Sequence, residues 1–343
     1  MMLGTAALGR ALDASGAPLD GLGAIDGLHI GVEGAPPLPS QRVAIAQPLW
    51  TGVRCVDALL TIGRGARVGI FGAPGAGKST LLETIVRGTR ADAIVIGLVG
   101  ERGREAQRWI ATRDERTTVI CATSDRSAQE RARAADLVMA HAWALASRGL
   151  HVLVVLDSLA RYAYALRELG ASKSESVGRG GYPPSVFSRM AQLVERAGEV
   201  AGASITMLAT VLDDGEDRDP VSECARSLLD GHLQLSPRLA QAGRFPAIDV
   251  PASASRTMDV VAGAGHLAAA GSVRAALACL ERCADARSLG IEPSDAASRR
   301  AIRAEAALET LLRQGRDPVS YRQSLEALEQ TADMLEEAHG YSS

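Results

Sequence analysis

Apolar positions along the chain fall into two textures. In the first, uninterrupted apolar runs alternate with helically spaced stretches. Ala93–Gly100 (AIVIGLVG) and His151–Asp157 (HVLVVLD) have strand length and no polar alternation, the pattern of strands buried on both faces. Thr118–Cys121, Ser204–Leu212 and His232–Leu235 are further candidate strands. Ser127–Ser147 reads as a long helix with Gly149 beyond its end, and Val53–Leu60 as a short one. Strands alternating with helices predict an α/β fold with a mainly parallel sheet covered on both faces. Ligands of such sheets sit beyond the carboxyl ends of the strands.

From about Val260 the second texture begins: Ala, Arg, Glu and Leu without strand-like runs, which predicts a small helical domain. Its last helix is expected to start at Asp317, with Pro318 in the first turn. Tyr321, Leu325, Leu328, Ala332 and Leu335 would line one face, and packing on neighbouring helices is favoured over a partner surface. Residues 1–40, rich in Gly, Pro and Ala, read as strands and turns belonging to something larger. The expected organisation is therefore 1–40, a core over 41–260 and a helical domain over 261–343.

One loop organises the chemistry. The apolar run Arg67–Phe71 leads into Gly72-Ala73-Pro74-Gly75-Ala76-Gly77-Lys78-Ser79 and then into Thr80–Val86, apolar at helical spacing, with Gly88 able to end the helix. Strand, glycine loop and helix make the context of a phosphate-binding P-loop; the plain alternative is a glycine-rich turn with an incidental lysine. Gly72, Gly75, Ala76, Gly77 and Thr80 belong to the loop whose backbone N–H groups would turn toward phosphate. The helix N-terminus adds partial positive charge. Lys78 would reach the β- and γ-phosphates, and Ser79 would offer its hydroxyl to magnesium. Asp157, closing its apolar strand, fits the acidic partner that holds the same ion from the other side. Glu101, in Gly100-Glu101-Arg102-Gly103-Arg104-Glu105 at the end of another strand, is the candidate that orients and deprotonates an attacking water. A loop of exposed surface charges is its bland counterpart.

Composition narrows the picture only slightly. Of 343 residues 47% are hydrophobic but only 3% aromatic, so the core must be mainly aliphatic. A net charge of −3 and a pI of about 6.1 give no electrostatic reason to expect nucleic acid as a partner. Five scattered cysteines with no CxxC read as reduced thiols, and Cys279 and Cys283, at i,i+4, have no histidine near them in sequence to complete a zinc site. The first residues lack a signal-peptide pattern and no apolar run has bilayer-spanning length. The expected location is the cytoplasm, at most peripheral to a membrane complex.

Further segments give the chain a family resemblance. Gly100–Glu105, Leu156-Asp157-Ser158-Leu159-Ala160-Arg161-Tyr162, Gly181-Tyr182-Pro183-Pro184-Ser185-Val186-Phe187 and Val194-Glu195-Arg196-Ala197-Gly198 occur in one order. Leu229–His232, Phe245-Pro246-Ala247-Ile248-Asp249 and Ser253-Ala254-Ser255-Arg256 follow. Together they resemble the ATPases of type III secretion and flagellar export, relatives of the rotary ATP synthase catalytic subunit, from about Leu8 to about Glu329.

The resemblance implies a RecA-like P-loop NTPase core with a small C-terminal helical domain, ATP and Mg2+ as cofactors, and ATP hydrolysis coupled to protein export. It makes Glu101 the catalytic carboxylate and places Arg161 near it and the γ-phosphate. It puts Phe245 on the adenine and Arg256 at the arginine finger, which reaches a neighbouring subunit's site; Lys78 keeps its phosphate role. A chain carrying both halves of a shared site can close into a ring, and a homohexamer is implied. The implied partners are a coiled-coil central stalk, export chaperones and the export gate. Gly181–Phe187 and Asp213–Pro220 are the loops that would face the stalk. Family members begin with an N-terminal β-barrel, and Gly9–Asp13 matches the segment that follows it. No second aromatic closing the adenine pocket is visible in the C-terminal region. A catalytically weak nucleotide-binding assembly module is the alternative reading, and a RecA-like nucleic-acid translocase the more distant one.

Overall fold

The computed structural model describes residues 2–26, 28–29, 31–32, 34–213 and 219–340. The chain divides into two compact units: Met1–Ile45, Arg64–Pro74 and Ala91–His232 form the first, and Ala46–Gly63, Gly75–Arg90 and Leu233–Ser343 the second. Strands and helices are numbered here along the chain.

The first unit is built on a parallel sheet in the order β6 (Arg67–Gly72), β11 (Ala203–Leu212), β9 (His151–Asp157), β7 (Ala93–Val99), β8 (Thr117–Ala122) and β2 (Ala11–Asp13). Every residue of β7, β8 and β9 is buried, which is why their apolar runs carry no alternation. Helices α3 (Gly103–Thr112), α4 (Ala128–Ala146), α5 (Leu159–Ser172), α6 (Pro184–Glu195) and α7 (Pro220–Leu228) complete this unit. α4 packs on β7, β8, β9 and β11, and its start is a capping box: Ser127 Oγ accepts from Glu130 N at 3.2 Å while Glu130 Oε2 accepts from Ser127 N at 3.0 Å. β10 (Gly198–Val200) adds antiparallel to β11, and β1 (Met2–Leu3) pairs antiparallel with β3 (Leu28–His29).

The low-periodicity N-terminal segment supplies β2 to the main sheet, with Leu12 opposite Ile120 and fully buried. Within Gly181–Phe187, the residues from Pro184 onward are the first turn of α6, because the fixed φ of proline suits that position. Asp214–Arg218, most of the other expected stalk-facing loop, lie outside the described residues.

The second unit holds the short hairpin β4 (Pro48–Leu49) and β5 (Ile62–Gly63), α1 (Arg54–Leu59) and the P-loop helix α2 (Lys78–Gly88). After β12 (Gly231–Leu235), which carries the chain into this unit, come α8 (Pro237–Gln241), β13 (Ile248–Ser255), α9 (Met258–Val261), α10 (Ala264–Ser288), α11 (Ala296–Arg303), α12 (Glu305–Leu312) and α13 (Tyr321–Gly340). The last helix begins at Tyr321, not at Asp317. Ser320 is the capping residue: its Oγ accepts from Gln323 N at 3.2 Å, and Gln323 Oε1 accepts from Ser320 N at 3.0 Å. Its apolar stripe packs inward, with Leu328, Ala332 and Leu335 buried and α13 lying on α1, α10 and α12. Trp50 stacks on Tyr321 at a centroid distance of 5.0 Å, with the Arg90 guanidinium 4.6 Å above the Trp50 ring. Cys279 and Cys283 are both buried in α10, and no group of His, Cys, Asp and Glu among the described residues could hold a metal ion by itself. No described helix is long and apolar enough to cross a membrane.

Candidate nucleotide-binding and catalytic site

Sheet register assembles the polar corner of the first unit. Leu98 of β7 lies opposite Asp157 of β9, so Glu101, three residues further on, leaves the sheet at the same carboxyl edge. Between them Gly100 adopts φ +71°, and a Cβ there would fall 3.0 Å from Arg161 Cδ. Only glycine fits both demands, and the result brings Arg161 across to Glu101. Arg161 Nε donates to Glu101 Oε1 at 2.9 Å. Arg161 itself sits in the first turn of α5, where Ser158 Oγ accepts from its backbone N at 3.2 Å. The ion pair expected of an ordinary arginine is therefore made with the proposed catalytic acid.

Electrostatics mark the corner. Burial, and after it the Asp157 charge, push the Glu101 carboxyl up to about 7 against the opposing charge of Arg161. Glu101 Oε2 accepts no hydrogen bond among the described residues. Asp157 is 7% exposed and accepts from Thr210 Oγ1 at 2.5 Å. Thr210, on neighbouring β11, was not foreseen from the sequence: a threonine inside an apolar run reads simply as a strand former.

The P-loop is where the chain passes from one unit to the other, between Pro74 and Gly75. Gly72 ends β6. Gly75 and Gly77 take φ of +80° and +97°, left-handed values that a side chain would strain. Gly77 caps α2, and its carbonyl accepts from Leu81 N at 3.0 Å. Lys78, Ser79 and Thr80 form the first helical turn, half-buried, while Ala76 is buried beneath them.

Within the second unit, a cleft of about 480 Å³ opens beside this turn, walled by Gly77, Thr80 and Leu81, by Phe245 and Pro246, and by Arg313–Arg316. Phe245 is 49% exposed, so it is a wall of the cleft and not a core residue. The 313–316 segment is pinned in place. Gln314 N donates to the Phe245 carbonyl at 2.8 Å, Gln314 Oε1 accepts from Arg54 N at 2.7 Å, and Gln314 Nε2 donates to the Gly52 carbonyl at 2.8 Å. Arg87 of α2 donates to the Arg316 carbonyl. The C-terminal wall of the cleft is made of Arg313, Gln314, Gly315 and Arg316. Arg256 follows directly on β13, is exposed, and makes no hydrogen bond or ion pair among the described residues.

Strand, left-handed glycine loop and helix, with a carboxylate corner at the sheet's carboxyl edge, define the class: a P-loop ATPase. Residues 52–255 match the family model of the ATP synthase alpha/beta family, nucleotide-binding domain. The chain belongs to that family, in its type III secretion and flagellar export branch. It is 44% identical over 339 residues to the flagellum-specific ATP synthase of Salmonella typhimurium, covering 95% of this chain and 74% of that one. It is likewise 44% identical over 341 residues to the type 3 secretion system ATPase of Xanthomonas euvesicatoria, covering 96% and 77%. Among solved structures, the assembled ATPase EscN of the enteropathogenic E. coli type III secretion system is similar with a TM-score of 0.92 and 38% identity, over 96% of this chain and 83% of that one. EscN in complex with its central stalk EscO gives a TM-score of 0.90 at 38% identity, over 96% and 82%.

Proposed function

We propose that this chain is the magnesium-dependent ATP-hydrolysing motor of a type III secretion apparatus, and that Glu101 is its water-activating base. The observation that carries the reading is the Glu101–Arg161 pair beside Asp157. A carboxylate with a pKa near 7 and one oxygen without a hydrogen-bond donor among the described residues is poised to accept a proton at working pH. Arg161 fixes which oxygen stays available.

Backbone N–H groups of Gly75–Thr80 and the ammonium of Lys78 hold the triphosphate. Phe245 takes the adenine. The donors proposed for the metal, the Ser79 hydroxyl and the Asp157 carboxylate, are hard oxygens, which suit magnesium. With no cluster of ligating side chains among the described residues, the ion would rely on one carboxylate, one hydroxyl, phosphate oxygens and water, its usual mode in such sites. When bound, it neutralises charge on the phosphates. Thr210 holds the Asp157 carboxylate in one orientation.

Arg256, exposed and without a partner among the described residues, serves as the finger that enters a neighbouring subunit's site. Head-to-tail contacts of that kind close into rings. The assembled EscN structure supports a homohexamer, and the EscN–EscO complex supports a central stalk as partner. Export chaperones and the export gate are the further proposed partners, met at the cytoplasmic face of the membrane apparatus.

The test is subunit mixing. Arg256→Ala should bind nucleotide yet turn it over about 10³-fold more slowly or worse, and Lys78→Ala should be inactive. Mixed, the two should recover measurable phosphate release, because intact sites form where the Lys78→Ala finger meets an Arg256→Ala loop. Full activity of Arg256→Ala alone refutes the shared site.

A further inference from the structure

The cleft beside the P-loop helix contains one charged group that nothing so far has used. Gln314 cannot read a base: its carbonyl accepts from Arg54 N, and its amide donates to the carbonyls of Gly52 at 2.8 Å and Asp317 at 2.9 Å. The Thr84 hydroxyl donates to the Thr80 carbonyl at 3.0 Å. Arg313 Nε is held by Glu309 Oε2 at 3.0 Å. Thr80 adds a hydroxyl from the first turn of α2, and the other side chains of the wall, Leu81, Leu235 and Phe245 among them, are apolar. Arg316 differs. Its carbonyl is anchored by Arg87, but its guanidinium makes no hydrogen bond or ion pair among the described residues, and the residue is exposed on the cleft.

We infer that Arg316 is the second stacking surface of the base site, its planar guanidinium facing the purine opposite the Phe245 ring. Guanidinium groups stack on aromatic faces and gain from the ring quadrupole, more so once desolvated. The position is fixed by the backbone, since the flanking carbonyl and the Gln314 side chain tie 314–317 to α2 and to the residues before α1. The inference rests on the reading of this cleft as the adenine site and adds two statements to it. The C-terminal wall recognises the base with a cation instead of an aromatic ring. And because Gln314 and Thr84 are already bonded within the chain and Thr80 belongs to the phosphate-binding turn, the base is held by stacking area with little edge readout. Purine triphosphates should then bind alike, and pyrimidines, with smaller faces, more weakly.

Equilibrium dialysis of the full chain with ATP, GTP, CTP and inorganic tripolyphosphate tests this without requiring turnover. Wild type should bind ATP and GTP within about fivefold of one another and CTP more weakly. Arg316→Ala should lose about three- to thirtyfold in affinity for both purines, the range expected of a cation–π contact. Its tripolyphosphate affinity should be unchanged, and Arg316→Lys should recover part of the loss. Three results would overturn the inference: unchanged purine affinity in Arg316→Ala, an equal loss for tripolyphosphate, or wild-type rejection of GTP by a hundredfold. Wild type that binds neither ATP nor tripolyphosphate would instead remove the nucleotide-site reading itself.

Discussion

Glu101 of the first unit and Asp57 of the second are both carboxylates out of water, 9% and 1% exposed, and burial raises both, to about 7 and about 6. Their surroundings differ in kind. Asp57 is held by neutral donors on both oxygens: Thr51 N at 2.9 Å and Thr51 Oγ1 at 2.7 Å on one, Gly52 N at 3.1 Å on the other. It knots the turn before α1, and neither of its oxygens is without a donor. Glu101 has a single charge-assisted bond from Arg161, a second carboxylate close enough to raise it, and a bare oxygen. A raised pKa therefore does not by itself separate a catalytic carboxylate from a structural one; the vacant acceptor does.

Substitution by the matching amide should split the pair. Glu101→Gln keeps the bond from Arg161 and presents its new NH2 to no donor, so the fold should stand while hydrolysis falls by about 10²–10⁴. Phosphate release alongside nucleotide binding measures this, and wild-type turnover would break the comparison. Asp57→Asn must set its NH2 against either the Thr51 or the Gly52 donors. It should lose about 1–3 kcal/mol of stability in chemical denaturation, with turnover per folded molecule within about threefold of wild type. A large kcat loss at full stability would put Asp57 in the chemistry.

The smallest effect is the pH dependence of stability. Folded Glu101 keeps its proton to about 7, whereas the unfolded chain releases it near 4.3. The stability linked to that proton is present below the lower value and is lost as pH rises through the upper one. Glu101→Gln has no such loss, and Asp57 titrates in both proteins and cancels from their difference. The variant should therefore gain on wild type across that window, ending about 1–3 kcal/mol ahead at about pH 8. Parallel stability curves would mean that Glu101 is not held in the shifted state.

What the sequence revealed depended on how much one residue type can say alone. β7 and β9 were legible because burial on both faces leaves an unbroken apolar run, and the P-loop because its glycines are required by backbone angle. β2, three residues inside a Gly- and Ala-rich stretch, and β13, whose IDVPASAS carries two serines, a proline and weak alternation, have no such signature. The start of α13 was misplaced because Asp317 and Pro318 resemble a helix start as closely as Ser320 and Gln323 do; the reciprocal side-chain bonds decide. Glu101 and Arg161 stood out through motif and order, but their mutual contact depends on Gly100 and on strand register. Thr210, Asp57 and Arg316 matter only through what folding sets beside them. Their identities advertised nothing.

The cleft's walls come from Val53 and from residues 77–84, 235–247 and 313–316, stretches far apart in translation order. A ribosome-bound chain has its complete glycine loop long before Arg313–Arg316 exists to close the base site. Nucleotide should therefore be unable to dwell on an unfinished chain. Its first stable binding would report that residues 313–316 have been made and have joined α2.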